Sequence, residues 1–140
     1  MGLMKYLLDT NVLSEPLKQT PDEAVISKLE RHQHEIITAA PVWHEMQYGC
    51  RRLPRSRKRA VIEVYLFDVV KKNLLILPYD SRAAEWHAKE RARLSRKGKP
   101  PPFVDGQIAA ISMVNDLILV TRNIEDFKMF SGLKTENWHK

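Results

Sequence analysis

The sequence predicts an α/β fold built on a central, mainly parallel sheet of four to five strands. Short apolar runs alternate along the chain with longer segments of helical character, as expected when each strand is followed by a helix. Strands of about four residues without polar alternation suit a sheet that is covered on both faces. A chain of 140 residues with 44% hydrophobic content fits one core, so we expect a single domain over residues 1–140.

The predicted strands are apolar runs that end at polar or turn residues. The first run ends at Asp9, and Ile36 and Ile37 form the apolar centre of the second. Their short length favours buried strands over helices. This pattern leaves the order of the strands across the sheet open. The strands are predicted at residues 6–8, 35–38, 74–77 and 117–120, with a weak edge strand at 134–136.

The predicted helices are marked by capping residues and apolar periodicity. Thr20 is the expected N-cap of the second helix, with Pro21 at its first position and Glu23 closing a capping box. The helices are predicted at residues 11–18, from 20 onward, and at 41–53, 57–72, 81–95, 104–114 and 124–130. The apolar face expected for the helix at 57–72 consists of Val61, Val64, Tyr65 and residues 67–69.

The chain is basic, with a formal net charge of +6, and much of that charge is clustered. Two clusters hold 12 of the 23 Lys and Arg residues. Such clusters attract phosphate backbones without reading sequence, although they also occur as solvated helix faces. The clusters are Arg51, Arg52, Arg55, Arg57, Lys58 and Arg59, and Lys89, Arg91, Arg93, Arg96, Lys97 and Lys99.

The sequence carries no targeting signal that we can identify, and we expect a cytoplasmic protein without a membrane partner. Cys50 is the only cysteine, so no internal disulfide can form, which fits a reducing compartment. The apolar run at residues 1–8 is interrupted by Lys5 and stopped by Asp9, too soon for a signal peptide. No apolar stretch approaches the roughly 18 residues of a membrane span.

Four acidic residues occupy positions that could meet at the carboxyl ends of the strands, where such folds carry their sites. Asp9 ends the first strand, Glu45 lies in the helix after the second, Asp105 begins an apolar helix, and Asp126 follows the fourth strand. Each could instead be an ordinary cap or surface residue, since Asp is common at helix N-termini.

A carboxylate cluster of this kind would need a counter-charge. Two carboxylates about 4 Å apart repel by roughly 4 kcal/mol at an effective dielectric near 20. Mg2+ and Mn2+ prefer hard oxygen ligands and would supply that charge. Such an ion can also activate water and stabilise charge on a phosphoryl group, so an acidic site within a basic protein suits cleavage of a nucleic acid.

Several other chemistries lack their signatures here. The five histidines form no HExxH pair and no zinc-spaced set with Cys50. The G-x-S-x-G elbow of serine hydrolases is missing, and the five glycines form no phosphate-binding loop.

Four segments together resemble the motifs of PIN-domain nucleases, in the expected order and across nearly the whole chain. Within that family the likeness is closest to VapC-type toxins of toxin–antitoxin pairs, including the FitB-like branch. The segments are LLDTNVL at 7–13, WHEMQYG at 43–49, DGQIAA at 105–110 and LVTRNIEDF at 119–127.

The resemblance implies an α/β/α sandwich and Mg2+- or Mn2+-dependent cleavage of RNA. It implies that Asp9 and Asp105 hold the metal most directly, and that Glu45 acts through water. It also implies a homodimer and a cognate antitoxin of the VapB type that blocks the active site. The supporting groups implied by the resemblance, which would fix the carboxylates by hydrogen bonds, are Thr10, Asn11 and Thr121.

Two features depart from the family pattern. Some relatives carry Asp where Asn123 stands, whereas the nearest acid here is Asp126, so either residue could fill the fourth site position. Many relatives also have Ser or Thr in the strand region before the Glu, whereas residues 39–42 are AAPV. We therefore expect fewer hydroxyl groups to support the site in this region.

Candidate RNA contacts come mainly from the two basic clusters. Arg82 is added because it follows the third strand and is therefore expected near the mouth of the site. The candidates are Arg51, Arg52, Arg55, Arg57, Arg82, Arg96 and Lys97.

Two rival functions remain open at this stage. One is a non-catalytic PIN-like or flavodoxin-like module that binds RNA or a protein, although such a module has no use for an uncompensated acidic pocket. The other is a phosphohydrolase of small substrates, which would not need large basic clusters. RNA binding in the absence of metal would help to separate these two.

Overall fold

A computed structural model of the chain describes residues 3–140, so the first two residues of the predicted N-terminal run lie outside it. Within that range five parallel strands form one sheet, which confirms the α/β fold and the weak edge strand. The strands are β1 (Tyr6–Leu8), β2 (Ile36–Ala39), β3 (Ile76–Leu77), β4 (Ile118–Val120) and β5 (Thr135–Glu136).

Helices flank this sheet, and most begin within one residue of their predicted starts. Glu15–Leu17 and Ile124–Phe127 are short 3-10 turns, and a π-helical segment, Tyr65–Val70, joins α4 to α5. None of the helices between residues 3 and 140 is long and apolar enough to cross a membrane. The α-helices are α1 (Thr10–Leu13), α2 (Glu23–Arg31), α3 (Ala40–Arg51), α4 (Arg57–Val64), α5 (Lys71–Asn73), α6 (Ser81–Arg96) and α7 (Phe103–Val114).

The predicted capping box at Thr20 and Glu23 is wrong, because Asp22 is the N-cap of α2. Its Oδ1 accepts hydrogen bonds from the backbone amides of Ala24 (2.8 Å) and Val25 (3.3 Å). A carboxylate that satisfies two free amides of the first turn starts the helix there.

Two predicted helices are shorter than expected. The segment at 11–18 divides at Ser14 into α1 and a 3-10 turn, where Pro16 has no amide to continue an α-helix. The segment at 124–130 contains only a 3-10 turn. Phe127, at the end of this turn, and Phe130, three residues later, are both buried. Side chains three residues apart share one side of a 3-10 repeat, which suits that burial.

The face predicted to be buried on the helix at 57–72 is wrong. Val61 and Val64 are each 57% exposed and Val69 is 47% exposed, whereas the buried residues are Leu66 and Val70, each 1% exposed. These two lie in the π-helical segment, where the number of residues per turn differs from that of an α-helix, so an α-helical periodicity does not identify them. No residue of α4 is buried.

The strand order is β3-β2-β1-β4-β5, which places β1 at the centre of the sheet. The chain adds β2 and β3 on one side of β1 and then returns to add β4 and β5 on the other. Ligand sites in open parallel sheets lie beyond the carboxyl ends of the strands at such a reversal. Leu8 is paired with Val120 across this boundary, so the residues that follow them, Asp9 and Thr121, become neighbours.

Candidate active site

Asp9 is held rigidly where β1 ends and α1 begins. It is the N-cap of α1, and its Oδ1 accepts a hydrogen bond of 2.8 Å from the amide of Thr10. Its Oδ2 accepts one of 2.9 Å from the hydroxyl of Thr121. The residue is 8% exposed, so both carboxylate oxygens have a fixed direction in a largely buried setting.

Thr121 gathers three groups around its buried hydroxyl. The oxygen donates to Asp9 and accepts hydrogen bonds from the amide of Asn123 (3.1 Å) and from Nδ2 of Asn11 (3.4 Å). One donor and two acceptor positions are all that a hydroxyl offers, so Thr121 is fully used. Oδ1 of Asn11 accepts from the amide of Arg122 at 2.9 Å, which ties α1 to the residues after β4.

Glu45 reaches the same region from α3. The hydroxyl of Thr10 donates a hydrogen bond of 3.1 Å to Oε2 of Glu45, a residue that lies exposed at the edge of the site. The nearest hydroxyl on β2, that of Thr38, donates instead to the carbonyl of Leu8 at 2.9 Å. It therefore supports the end of β1 and not the carboxylates.

Asp105, in the first turn of α7, shares an electrostatic field with the other three carboxylates. Burial, followed by the charges of Asp9, Asp126 and Glu45, raises the pKa of Asp105 to about 6. Burial also raises the pKa of Asp9, against the lowering effect of hydrogen bonds from Thr10, Thr121 and Asn11, and Asp126 adds to the rise. The fold thus brings together four acidic side chains that are far apart in sequence.

The two candidates for the fourth position play different parts in this arrangement. The negative charge of Asp126 acts on both Asp9 and Asp105. Asn123 is exposed, and its backbone amide supports Thr121. This electrostatic effect favours Asp126 over Asn123 as the fourth acidic group.

The donor set suits a hydrated hard cation. Carboxylate oxygens are the ligands that Mg2+ and Mn2+ favour, and the raised pKa of Asp105 reflects a local need for positive charge. Within residues 3–140, however, no three His, Cys, Asp or Glu side chains are arranged to hold an ion directly. Mg2+ commonly keeps several waters and is bound by one or two carboxylates, so Asp9 and Asp105 with water-mediated partners fit such an ion.

The first basic cluster does not form one surface, because some of its arginines line a cavity whereas Arg52 lies on the side of Glu45. A cavity of about 430 Å3 is lined by Arg51, Arg55 and Arg59, together with residues of α3, α4 and the π-helical segment. Arg51 lies six positions after Glu45, which puts it roughly 120° away around the helix. Arg52 is about two turns from Glu45 on the same face, and its guanidinium carbon lies 5.5 Å from the ring centroid of Tyr48.

The position expected for Arg82 near the mouth of the site is wrong. Its guanidinium donates to the carbonyl of Val114, the last residue of α7, whereas Asp105 lies at the start of that helix. The beginning of α6 packs beside the end of α7. Arg82 therefore lies away from the carboxylates, although it follows β3 in sequence.

Arg91 is closer to the site than the sequence indicated. Its guanidinium carbon lies 5.3 Å from the ring centroid of Phe103, two residues before Asp105. Arg91 belongs to the second basic cluster, but nothing in that run of charges distinguished it from its neighbours. Two of the predicted contacts in this cluster, Arg96 and Lys97, are exposed at the end of α6.

Comparisons with known proteins show the family to which the chain is similar. The sequence profile of the PIN domain matches residues 6–132. The chain is 31% identical over 138 residues to the tRNA(fMet)-specific endonuclease VapC of Shigella flexneri, covering 97% of this chain and 99% of the relative. It is 30% identical to toxin FitB of Neisseria gonorrhoeae, covering 95% and 98%.

A solved structure shares the fold closely. The crystal structure of FitAcB from Neisseria gonorrhoeae superposes with a TM-score of 0.87 at 30% sequence identity, covering 96% of this chain and 99% of that one. The profile match spans most of the chain, and the relatives align over nearly their full length. The chain therefore belongs to the PIN-domain family.

Proposed function

We propose that this chain is a divalent-metal-dependent endoribonuclease, the toxin of a VapC-type toxin–antitoxin pair. The observation that carries the proposal is the joint action of Asp9, Glu45 and Asp126 on Asp105, whose pKa burial and these charges raise to about 6. Four carboxylates at the reversal point of a parallel sheet are costly unless a cation binds them. The relatives named as an RNA endonuclease and a toxin support the RNA substrate and the toxin role.

In this proposal Asp9 and Asp105 hold Mg2+ or Mn2+, with Glu45 and Asp126 acting at longer range. The bound ion would lower the pKa of water and neutralise charge on the scissile phosphodiester. The amide of Thr10 and the hydroxyl of Thr121 orient Asp9, and their hydrogen bonds favour its charged form against the burial that raises its pKa.

Glu45 is placed to accept a proton or to orient water. The hydroxyl of Thr10 donates a hydrogen bond to Oε2 of Glu45, and no group among residues 3–140 forms a hydrogen bond with Oε1. That free oxygen, on an exposed side chain at the edge of the site, can accept a hydrogen bond from the attacking water.

The basic surface would hold the RNA strand across this acidic centre. Arg52 shares the helix face of Glu45, and Arg91 packs against Phe103 in the first turn of α7, so we assign these two the contacts with the RNA strand beside the carboxylates. The remaining predicted contacts, Arg51, Arg55 and Arg57 among them, would add attraction that does not depend on sequence.

The proposed partners are a VapB-type antitoxin and a second copy of the chain, in the cytoplasm where RNA substrates are found. The name of the toxin relative and the FitAcB structure support an antitoxin partner. Exposed apolar side chains beside the first basic cluster suit a surface covered by a protein. Val61 and Val64 are each 57% exposed, and Val69 is 47% exposed.

Cleavage of a mixed RNA pool would test the proposal. Wild type and Asp9→Asn are compared with Mg2+, with Mn2+ and with EDTA, using Glu125→Gln as the matched control. Glu125 is an exposed acid beside Asp126, and among residues 3–140 its side chain pairs only with Lys128 at 2.6 Å. We expect metal-dependent cleavage by wild type and by Glu125→Gln, and none by Asp9→Asn, because the metal loses a charged ligand.

The alternatives predict different results. Cleavage by folded Asp9→Asn at the wild-type rate would show that the site assignment is wrong. RNA binding without cleavage under any condition would favour the non-catalytic module.

A further inference from the structure

His87 of α6 is a buried polar group that the proposed mechanism does not use. The residue is 1% exposed, yet its Nε2 has no hydrogen-bond partner among residues 3–140. Its Nδ1 is hydrogen-bonded to the hydroxyl of Tyr79, 2.8 Å away. Buried polar atoms are normally satisfied, so an unpaired ring nitrogen calls for an explanation.

The unpaired edge of this ring lies against Gly106, the residue after Asp105. A Cβ added to Gly106 would be 2.2 Å from Nε2 and 2.7 Å from Cδ2 of His87. No real Cβ atom sits that close to another heavy atom, so this position of α7 accepts only glycine while the imidazole is present. The ring fills the notch that the missing side chain leaves.

The same ring also contacts the residue one turn before Gly106. The ring centroids of His87 and Phe103 are 4.9 Å apart. Burial, followed by the charge of Arg91, lowers the pKa of His87, so the imidazole is neutral at neutral pH and suits this apolar neighbour. His87 therefore packs against the first turn of α7 at Phe103 and Gly106, which lie on either side of Asp105 in sequence.

The first turn of α7 has this packing but no side-chain cap. Pro102, at the N-cap position of α7, offers no side-chain hydrogen bond to the first turn. The other site helix that starts next to a carboxylate, α1, is capped by Asp9 itself. Tyr79 follows β3 closely, so its hydrogen bond ties the imidazole to the chain that leaves the sheet edge.

We propose that His87, wedged into the notch at Gly106, is a positioning residue that fixes the first turn of α7 and with it the carboxylate of Asp105. The inference rests on the proposed function, because it treats Asp105 as part of the metal site. Groups that orient metal ligands without touching the ion commonly change metal affinity by 10–100-fold when they are replaced.

A double-mutant cycle tests this contact. Gly106→Ala, His87→Ala and the double variant are compared with wild type for Mn2+ affinity, measured from the electron paramagnetic resonance signal of free Mn2+. With His87 present, we expect Gly106→Ala to lower the Mn2+ affinity about tenfold. In the His87→Ala background the added methyl group has room, so the same change should lower the Mn2+ affinity less than about twofold. At saturating metal, kcat of Gly106→Ala should fall while its KM for RNA stays unchanged, because the substitution does not alter the basic surface.

Gly49→Ala is the matched control. Gly49 lies in α3 four residues after Glu45, and within the described part of the chain a Cβ there meets nothing within 4 Å. Its Mn2+ affinity should stay within about twofold of wild type, since helical glycine tolerates alanine where space is open. If Gly106→Ala alone fails to fold, recovery of folding in the double variant supports the same contact.

Hydrogen exchange of the Gly106 amide in metal-free protein gives a second readout. This amide donates to the carbonyl of Pro102 at 3.1 Å, the first hydrogen bond of α7. In His87→Ala we expect it to exchange about tenfold faster, while the amide of Leu119 in β4 is unchanged. Wild-type exchange at Gly106, or additive effects in the cycle, would overturn the inference. Wild type that binds no Mn2+ would refute the proposed function, and the exchange experiment would still decide the role of His87.

Discussion

Replacing Thr121 by Val tests whether Asp9 depends on the hydroxyl beneath it. The hydroxyl is fully buried, donates 2.9 Å to Asp9 Oδ2 and accepts from the amide of Asn123. A hydrogen bond to a charged group contributes roughly 1.5–3 kcal/mol, so we expect the variant to lose about 2 kcal/mol of stability. An unfolding entropy of about 0.3 kcal/mol/K for 140 residues converts this loss to a fall in Tm of about 7 °C.

The same change should weaken metal binding. The hydrogen bond from Thr121 lowers the pKa of Asp9, so its loss makes the charged carboxylate less stable and leaves its orientation less defined. We expect a fall in Mn2+ affinity of about tenfold or more.

Thermal unfolding of metal-free protein and Mn2+ titration measure the two effects. Thr38→Val is the control, because the hydroxyl of Thr38 is equally buried but donates to the carbonyl of Leu8. It should lose about 1 kcal/mol of stability and keep its Mn2+ affinity. Wild-type Tm and wild-type Mn2+ affinity in Thr121→Val would refute the reasoning.

Three further outcomes are expected. In EDTA, urea unfolding should show that Asp105 contributes a loss of stability as pH rises from about 4 to 6, because its raised pKa means that the folded state binds more protons in that range. Asp105→Asn or added Mg2+ should remove this contribution. Glu15 is buried and accepts hydrogen bonds from the backbone amide of Asp22 and from Lys18, which lower its pKa. Glu15→Gln should therefore reduce stability at neutral pH and make the loss of stability in acid smaller. An unchanged loss of stability in acid, measured by urea unfolding, would contradict this. Arg55→Ala with Arg57→Ala should weaken RNA binding and flatten its salt dependence by about one unit for each phosphate left without a cation, and identical slopes would remove this cluster from the RNA surface.

Elements whose limits depend on nearby residues were well predicted from the sequence. The first strand and the starts of α4 and α6 agree with their predicted limits, because apolar periodicity and flanking polar residues are local signals. The start of α2 was missed because Asp22 and Thr20 are both good caps, and only the folded backbone decides which one meets the free amides. The burial of Leu66 and Val70 was missed because the π-helical segment alters the periodicity, and Val61 and Val64 are exposed because no residue of α4 is buried.

For the site, the sequence alone determined the chemistry that is available: carboxylates after strands, a basic surface and a single cysteine. Tertiary structure decided which of those groups meet. β4 lies beside β1, which brings Thr121 to Asp9 across 112 residues of chain and places Asp126 in the field of Asp105. The same packing put Arg82 at the far end of α7. Local patterns report where strands and most helices begin and end, whereas the meeting of distant residues depends on strand order and helix direction, and neither leaves a local signal.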